Sequence, residues 1–372
     1  KFMEETNRVV ATMVKEFEMR KAAFRYSRSK TSKSGSLDMA KLHSYKYNDD
    51  VFARNTVLAD SKNHGMVMLV DNSGSMGRSL PAVQRQVINL AMFCKKTNIP
   101  FQVFGFTSGS NDMPKQEEFT VDFTRVRLFE LVSSEMSRVE FDRAIRDLWF
   151  QSYELSRHNY GWHRPHCGAV EDFGGTPLNE CLLWMNEYLP MFRAKYGLDK
   201  VNFTVLTDGD AQRIGYTYDY RREDKENAVD FDPRRMSVSL NGKRKVIGMG
   251  PSGTKDILDA IRGNGITTIG YFIPDNNWEF KNRCYNCGVN SEEQLRETRK
   301  EYNRQKFVNF DEVLGFDRYF ILKNGRAIDT ATEGFDVKEG AKKGELTRQF
   351  KKFAGSKKGN RILVSRFAEM VA

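Results

Sequence analysis

Three short polar segments of this chain carry side-chain oxygens of the kind that bind hard metal ions. The motif D-N-S-G-S at residues 71–75 supplies Asp71, Ser73 and Ser75. The motif F-G-G-T-P-L at residues 173–178 adds the hydroxyl of Thr176, and L-T-D-G-D at residues 206–210 adds the carboxylate of Asp208. Such oxygens are typical ligands of Mg²⁺ and Mn²⁺. These residues could therefore bind a divalent cation, Mg²⁺ in the first place and Mn²⁺ as the alternative.

The surrounding sequence predicts that the three segments meet at one edge of a sheet. Residues 66–70 and 201–206 are continuous apolar runs, as expected of strands buried inside a parallel sheet. Each run leads directly into a polar motif, and a helix is predicted to begin at residue 177, after Thr176. Because loops at the carboxyl ends of parallel strands converge, we expect the five side chains to lie close together. Each motif alone is also typical of an ordinary turn, so the prediction depends on their combination and order.

The order of the predicted elements indicates an α/β fold, with a doubly wound and mainly parallel sheet flanked by helices. Hydrophobic periodicity predicts an amphipathic helix in the first twenty-odd residues, helices at 80–97, 177–196 and 254–262, and strands at 66–70, 101–106, 201–206 and 266–273. Residues 25–36 are rich in Ser, Lys and Arg and predict a mobile basic loop before a short ordered stretch near 37–42. Asn241-Gly242 suits a type I′ turn and predicts a β-hairpin that projects from the rim of the sheet.

These elements suggest a division of the chain into three parts. We predict a helical and loop lead-in at residues 1–60 and a basic helical C-terminal segment at 336–372. Between them, an α/β domain at 61–335 carries insertions near 111–170, 211–250 and 275–307.

Taken together, the three motifs resemble the metal-ion-dependent adhesion site of von Willebrand factor A (VWA) domains. The pattern of that site is D-x-S-x-S, then a Thr, then an Asp-Gly after a later strand. The resemblance implies that Ser73, Ser75 and Thr176 ligate the cation, with Asp71 and Asp208 bound directly or through water. It also implies a binding function, because a cation held largely by neutral hydroxyls attracts a carboxylate from a partner.

A narrower resemblance involves residues 35–42, 70–76 and 103–107, which are similar to the VWA subunit of aerobic cobaltochelatase. Relatives of that subunit also occur in large tailed phages. The resemblance implies an adaptor that works beside a hexameric AAA+ ATPase of the MoxR or chelatase type, in the cytoplasm of the cell or of a phage host. A true cobaltochelatase subunit is a further alternative, although the long acidic segment of that family is absent and no tetrapyrrole pocket is recognisable.

Composition excludes several other classes of protein. The 372 residues are 40% hydrophobic, which is enough to build a globular core. No apolar run approaches the length of a membrane-spanning helix, so we expect no membrane association. The charged first residues lead into no apolar signal core, and five irregularly spaced cysteines do not predict a disulfide framework. A cytoplasmic protein is therefore expected.

The positive charge of the chain is concentrated near its C-terminus. The formal net charge is +10, and the segment from Lys338 to Arg366 contains ten Lys and Arg against two Glu. Leu346, Phe350 and Phe353 fall at helical spacing, and so do Leu363, Phe367, Met370 and Val371. The pattern predicts two short basic amphipathic helices. The segment could dock on an acidic protein, or it could bind nucleic acid together with the basic residues near 25–33.

Other motifs are less specific. The glycine-rich residues 248–255 end in Thr-Lys instead of Gly-Lys-Ser/Thr, which favours a turn with Thr254 or Ser252 capping the next helix over a phosphate loop. Cys284 and Cys287 have the spacing of half a zinc site, and the region around residues 158–167 adds three histidines and a cysteine. No catalytic motif is recognisable. We therefore expect a protein that is not an enzyme on its own.

Overall fold

The computed structural model describes residues 63–109, 123, 125–157, 173–214 and 235–323, strands at 30–37 and 52–57, and separate helical residues between positions 6 and 19. The strands are Lys30–Leu37 (β1), Phe52–Val57 (β2), His64–Asp71 (β3), Phe101–Ser108 (β4), Val126–Ser133 (β5), Lys200–Thr207 (β6), Arg235–Leu240 (β7), Lys243–Gly248 (β8), Thr267–Phe272 (β9), Phe307–Val313 (β10) and Phe316–Leu322 (β11). The helices are Leu80–Lys96 (α1), Arg138–Arg157 (α2), Leu178–Lys195 (α3), Pro251–Gly263 (α4), Asn277–Asn286 (α5) and Glu292–Gln305 (α6).

Seven strands form the central sheet, in the order β10-β11-β9-β6-β3-β4-β5. The five strands from β11 to β4 are mutually parallel, and the antiparallel strands β10 and β5 close the two sides. The predicted doubly wound, mainly parallel α/β sheet is thus confirmed. The strand order reverses between β3 and β6, and in open α/β sheets such a reversal creates a crevice beyond the carboxyl ends of the two strands.

Each face of the sheet is covered by its own hydrophobic core. Strand β3 sends Met66, Met68 and Val70 toward the core that contains buried residues of α1 and α2, while Val67 and Leu69 face the core with α3 and α4. A strand buried on both faces is apolar without alternation, which is why residues 66–70 could be recognised in the sequence. The two cores hold β3 and β6 rigidly, so their carboxyl ends are fixed points of the fold.

The N-terminal lead-in differs from the sequence prediction in one respect. The expected amphipathic helix is present at the described residues, where Val10, Met13 and Phe17 are buried and Phe17 packs edge-on against Phe93. The expected basic loop is wrong for residues 30–36, because β1 pairs with β2 in an antiparallel two-stranded sheet. Pairing between strands satisfies backbone groups that a loop would leave to water, whatever the composition of the side chains. Residues 38–42 lie outside the described residues.

The hairpin of β7 and β8 forms at the predicted turn. Asn241 and Gly242 both have positive φ, 53° and 72°, as a type I′ turn requires. The hairpin does not project, however. Leu240 and Ile247 are buried, and the Asn241 side chain donates a hydrogen bond to the carbonyl of Ala260 on α4. Burial of one apolar face against a helix is the usual way to stabilise a two-stranded ribbon.

Residues 275–307, predicted to be an insertion in the α/β domain, pack into its core. They contain α5 and α6, which bury Phe280, Cys284, Leu295 and Tyr302 in the same core as α3. The segment near 111–170 contains β5 and α2, and its remaining residues lie mostly outside the described part of the chain. The basic segment at 336–372 also lies outside the described residues. No described helix is long and apolar enough to cross a lipid bilayer.

Candidate metal centre

The two predicted carboxylates lie side by side at the carboxyl edge of the sheet, the edge where β3 and β6 end. Asp71 is the last residue of β3, and Asp208 directly follows β6. The parallel register pairs Val70 with Leu206, so Asp71 lies beside Thr207 on the neighbouring strand. The Thr207 hydroxyl donates a hydrogen bond to Asp71 Oδ2 at 2.7 Å. Strand pairing thus fixes both carboxylates at the reversal of strand order.

Hydrogen bonds connect four of the five predicted residues. The Ser73 amide donates to Asp71 Oδ1 at 2.8 Å, and the hydroxyl oxygens of Ser73 and Ser75 are 3.0 Å apart. The Ser75 hydroxyl donates to Asp208 Oδ1 at 2.8 Å. The D-x-S-x-S spacing therefore folds the loop so that both serine hydroxyls lie between the two carboxylates.

The fifth residue, Thr176, belongs to a loop that is held between the other two. Gly74 donates its amide hydrogen to the carbonyl of Gly174 at 2.9 Å, and Gln212 donates to the carbonyl of Thr176 at 3.0 Å. Thr176 is buried, with 7% of its surface exposed. The three loops therefore meet at one edge, as the sequence predicts, although the hydrogen bonds that position Thr176 come from the backbone.

A close approach between backbones explains the first glycine of the F-G-G-T motif. A Cβ on Gly174 would overlap the carbonyl oxygen of Ser108 at the end of β4. Gly175 donates its amide hydrogen to the Ser108 hydroxyl at 2.7 Å. Only glycine allows this contact, because any side chain at position 174 would push the loop away from β4. The contact fixes the height of Thr176 above the sheet.

Burial makes both carboxylates reluctant to ionise. Burial raises the pKa of Asp71 from 3.8 to about 6, although hydrogen bonds from Thr207 and Ser73 oppose the rise. The pKa of Asp208 rises from 3.8 to about 7, mainly through burial and then through the negative charge of Asp71. Asp208 Oδ2 is buried and has no hydrogen-bond partner among the residues that the structure describes. The edge therefore concentrates negative charge that the described side chains do not fully compensate.

A divalent cation fits these observations. The donors are carboxylate and hydroxyl oxygens, which suit hard cations, and one buried carboxylate oxygen has no hydrogen bond. Arg283 does not supply the missing charge, because it forms an ion pair with Asp210 at 2.7 Å and stacks on Phe272. Ser75 is exposed, so the site is open toward solvent. A ligand from another molecule could reach a cation bound there.

The other candidate sites gain no such support. Cys284 and Cys287 are buried in the core beside α5 and α6, and burial raises the pKa of each thiol to about 12. The described residues contain no cluster of three or more His, Cys, Asp and Glu that could hold a metal ion. The histidines near 158–167 lie outside them.

The glycine-rich residues 248–255 form the start of helix α4. The Thr254 hydroxyl donates to Asn179 Oδ1 at 2.6 Å and so joins α4 to α3. The expected cap by Thr254 or Ser252 is wrong, because Gly250 is the N-cap and no side chain caps the helix. The Asn179 side chain instead donates to the Gly250 carbonyl at 2.9 Å.

Three residues that position the site were not predicted from the sequence. Thr207 orients Asp71, Ser108 anchors the loop before Thr176, and Arg283 holds the loop after Asp208 through Asp210. Thr207 had a signal in the sequence, since it directly precedes Asp208 at the end of an apolar run. The other two depend on contacts between distant segments.

No protein-family model and no curated protein matches this chain at a significant level. Similar solved structures include the pilus adhesin SpaC from Lactobacillus rhamnosus GG in its open conformation (14% identity, TM-score 0.32), which matches 61% of this chain over 26% of its own. They also include the vWF domain of the type V pili tip protein Mfa5 from Porphyromonas gingivalis (11% identity, TM-score 0.30, covering 60% of this chain and 85% of that one). The conserved hypothetical protein BatB from Bacteroides thetaiotaomicron is 14% identical over 56% of this chain and 66% of its own, with a TM-score of 0.28.

The match to SpaC therefore spans about a quarter of the length of that protein. In this chain, the mainly parallel sheet carries helices on both faces, and β3 and β6 end together at its centre. The chain has a VWA-like α/β fold.

Proposed function

We propose that the carboxyl edge binds a divalent cation, Mg²⁺ or Mn²⁺, and that the bound cation recognises a carboxylate of a partner protein. The observation that carries the proposal is Asp208 Oδ2, a buried carboxylate oxygen without a hydrogen-bond partner in the described part of the chain. A buried charge in this state is costly unless a cation or a proton compensates it. The adjacent hydroxyls of Ser73 and Ser75 would supply further ligands.

Each residue then has a distinct role. The hydroxyls of Ser73, Ser75 and Thr176 would ligate the cation, and Asp71 and Asp208 would hold it directly or through water. When bound, the cation supplies a positive centre with a free coordination position for a carboxylate. Thr207 keeps Asp71 oriented through its hydrogen bond, and the exposed position of Ser75 leaves the partner a path to the site.

In this proposal the chain is a binding adaptor and not an enzyme on its own. The resemblance to the VWA subunit of cobaltochelatase, and to its relatives in tailed phages, suggests a AAA+ ATPase of the MoxR or chelatase type as partner, in the cytoplasm. The ATPase would supply the energy of nucleotide hydrolysis, and this chain would supply recognition of the target. A true cobaltochelatase subunit would in addition need a tetrapyrrole site.

Nucleic-acid binding is the second candidate function. It is favoured by the surplus of eight positive charges between Lys338 and Arg366. Binding through phosphate contacts weakens linearly in log affinity against log salt, with a slope set by the number of phosphates contacted. A steep slope with the full chain, unaffected by EDTA, would favour this function over cation-dependent protein binding.

Calorimetric titration of Mg²⁺ and Mn²⁺ tests the proposed cation site. We expect heat of binding with the wild-type chain and its loss in Asp71→Asn. The control Asp311→Asn removes an exposed carboxylate on β10 and should bind like wild type. Equal heats from wild type and Asp71→Asn would contradict the proposal.

The partner is tested separately. A purified MoxR-type ATPase with ATP should be captured in Mg²⁺ and released in EDTA, and Thr176→Ala should lose the capture. Cation binding without such capture would leave the metal site standing and remove this ATPase class as the partner.

A further inference from the structure

Helix α3 has an apolar face that is exposed to solvent. Exposed helix faces are normally charged or polar, as on α6, where nearly all exposed residues are charged or amide side chains. On α3 only two of the six exposed residues are charged: Trp184, Glu187, Pro190, Met191, Ala194 and Lys195. Trp184 is 40% and Met191 67% exposed. A contiguous apolar face of this kind is typical of a binding surface.

The aromatic side chains of this face are held in place from beneath. Trp184 stacks on Tyr188 with ring centroids 4.6 Å apart, and Phe104 packs edge-on against both rings. The Tyr188 hydroxyl donates a hydrogen bond to Gln102 on β4. A rigid aromatic surface loses little conformational entropy when something binds to it. The face is therefore pre-organised for contact.

Acidic side chains border the same face. Glu187 lies on α3 itself, and Glu130 and Glu135 lie on and just after β5. Gln102, which accepts the hydrogen bond from Tyr188, donates to Glu130 Oε1 at 3.1 Å, and Tyr196, directly after α3, donates to Glu135 Oε1 at 2.7 Å. Lys195 donates to Glu135 at 2.6 Å and so compensates one of the three charges. The border of the apolar face is negative.

The chain itself contains a segment with the complementary chemistry. Between Lys338 and Arg366 it carries a surplus of eight positive charges, and Leu346, Phe350 and Phe353 recur at helical spacing. A basic amphipathic helix is complementary to an acidic, aromatic face. Its apolar stripe would pack on the aromatic rings, and its lysines would pair with the carboxylates.

The connection is also long enough. Twenty-two residues separate Lys323, where β11 has just ended, from Leu346. Fully extended they span about 70 Å. The six strand spacings across the sheet amount to about 29 Å.

We propose that the exposed face of α3, formed by Trp184, Tyr188 and Met191 with the border of Glu130, Glu135 and Glu187, is the docking site of the basic segment between Lys338 and Arg366 of the same chain. The docked segment is withheld from nucleic acid and from acidic proteins. It becomes available to them only when it is displaced. This contact does not depend on the cation site.

Zero-length cross-linking of the full chain tests the proposal. A carbodiimide joins carboxylates directly to lysine amines, so docking predicts links from Glu130 or Glu187 to lysines between Lys338 and Lys358. Mixing ¹⁴N- and ¹⁵N-labelled chains before cross-linking distinguishes links within one chain from links between two. We expect links within one chain.

Two variants and one control define the specificity of these links. Trp184→Ala and Met191→Asp should each reduce their yield by about tenfold, as for loss of a principal contact residue. Met191 is largely exposed, so Met191→Asp should keep the wild-type thermal melt even if Trp184→Ala does not. The control Trp278→Ala removes another exposed tryptophan, on α5, and should leave the yield unchanged.

Three results would overturn the proposal. The first is the absence of links between the C-terminal lysines and these carboxylates. The second is a yield that Met191→Asp leaves unchanged. The third is links only between differently labelled chains, which would make a second copy the occupant.

Discussion

Replacing Asp208 by Asn should stabilise the cation-free protein. In the folded chain, burial and the charge of Asp71 raise the pKa of Asp208 from 3.8 to about 7. Between these two values the folded state binds more protons than the unfolded state, so the free energy of unfolding falls as the pH rises. Asp208→Asn removes the charge, and its amide oxygen can still accept the hydrogen bond from Ser75.

The size of the effect follows from the shift in pKa. A shift of about three pH units corresponds to about 4 kcal/mol against the ionised form once the pH exceeds 7. This value is an upper limit, because part of it comes from repulsion that Asp71 also experiences. At pH 8 in EDTA we expect Asp208→Asn to be more stable than wild type by between about 1 and 4 kcal/mol, and the difference should shrink toward pH 4.

Urea unfolding followed by tryptophan fluorescence measures this difference. In EDTA, the wild-type midpoint should fall between pH 5 and pH 8, while that of Asp208→Asn should change less. Added Mg²⁺ should raise the wild-type midpoint and leave the variant unaffected, since only a state that binds the cation is stabilised by it. Asp210→Asn is the control, because its carboxylate pairs with Arg283 and its loss should not stabilise the chain. If Asp208→Asn is less stable than wild type at pH 8 in EDTA, the electrostatic account of the site is wrong.

Three further substitutions test how the site is positioned. Thr207→Val removes the hydroxyl that donates to Asp71, which should raise the pKa of Asp71 further. Urea unfolding above pH 7 should show a loss of about 1–3 kcal/mol of stability. Thr207→Ser should restore the hydrogen bond, and with it the pKa and the stability. Gly174→Ala should displace the loop before Thr176 and weaken Mn²⁺ binding in a calorimetric titration, whereas Gly209→Ala, where a Cβ meets no neighbour, should not. Thr176→Ala should lose Mg²⁺-dependent partner capture and keep a cooperative thermal melt, since β3 and β6 hold the fold; an unfolded variant would make this loop structural.

The parts of the fold that could be predicted from sequence are those with a local signal. Residues 66–70 are apolar on both faces, and β3 extends beyond them only by the less apolar residues His64, Gly65 and Asp71. The β10–β11 turn has no such signal, because Leu314 has a positive φ of 55° in a position that usually takes glycine or asparagine. Strand β5 is a half-buried edge strand in which Arg127 and Glu130 interrupt the apolar pattern.

The residues of the candidate site could be predicted from the sequence, but the contacts that position them could not. The spacing of Asp71, Ser73 and Ser75 is local, and Asp71 and Asp208 each directly follow an apolar run that forms a strand. The hydrogen bond from Thr207 to Asp71 joins two residues that are 136 positions apart in the sequence. It depends on the register in which β3 pairs with β6. The close approach of Gly174 to Ser108 likewise depends on how the loop before Thr176 packs against the end of β4. Pairing between distant segments leaves little trace in a single sequence.

Anomalous diffraction from crystals grown in Mn²⁺ tests the central claim most directly. The account predicts a single anomalous peak at the carboxyl edge of the sheet, bounded by the hydroxyls of Ser73, Ser75 and Thr176 and the carboxylates of Asp71 and Asp208. Replacing Mn²⁺ with Mg²⁺ in the crystal should remove the anomalous signal and leave the loops in place. An edge without anomalous density, in crystals where Mn²⁺ is bound elsewhere on the chain, would contradict the account.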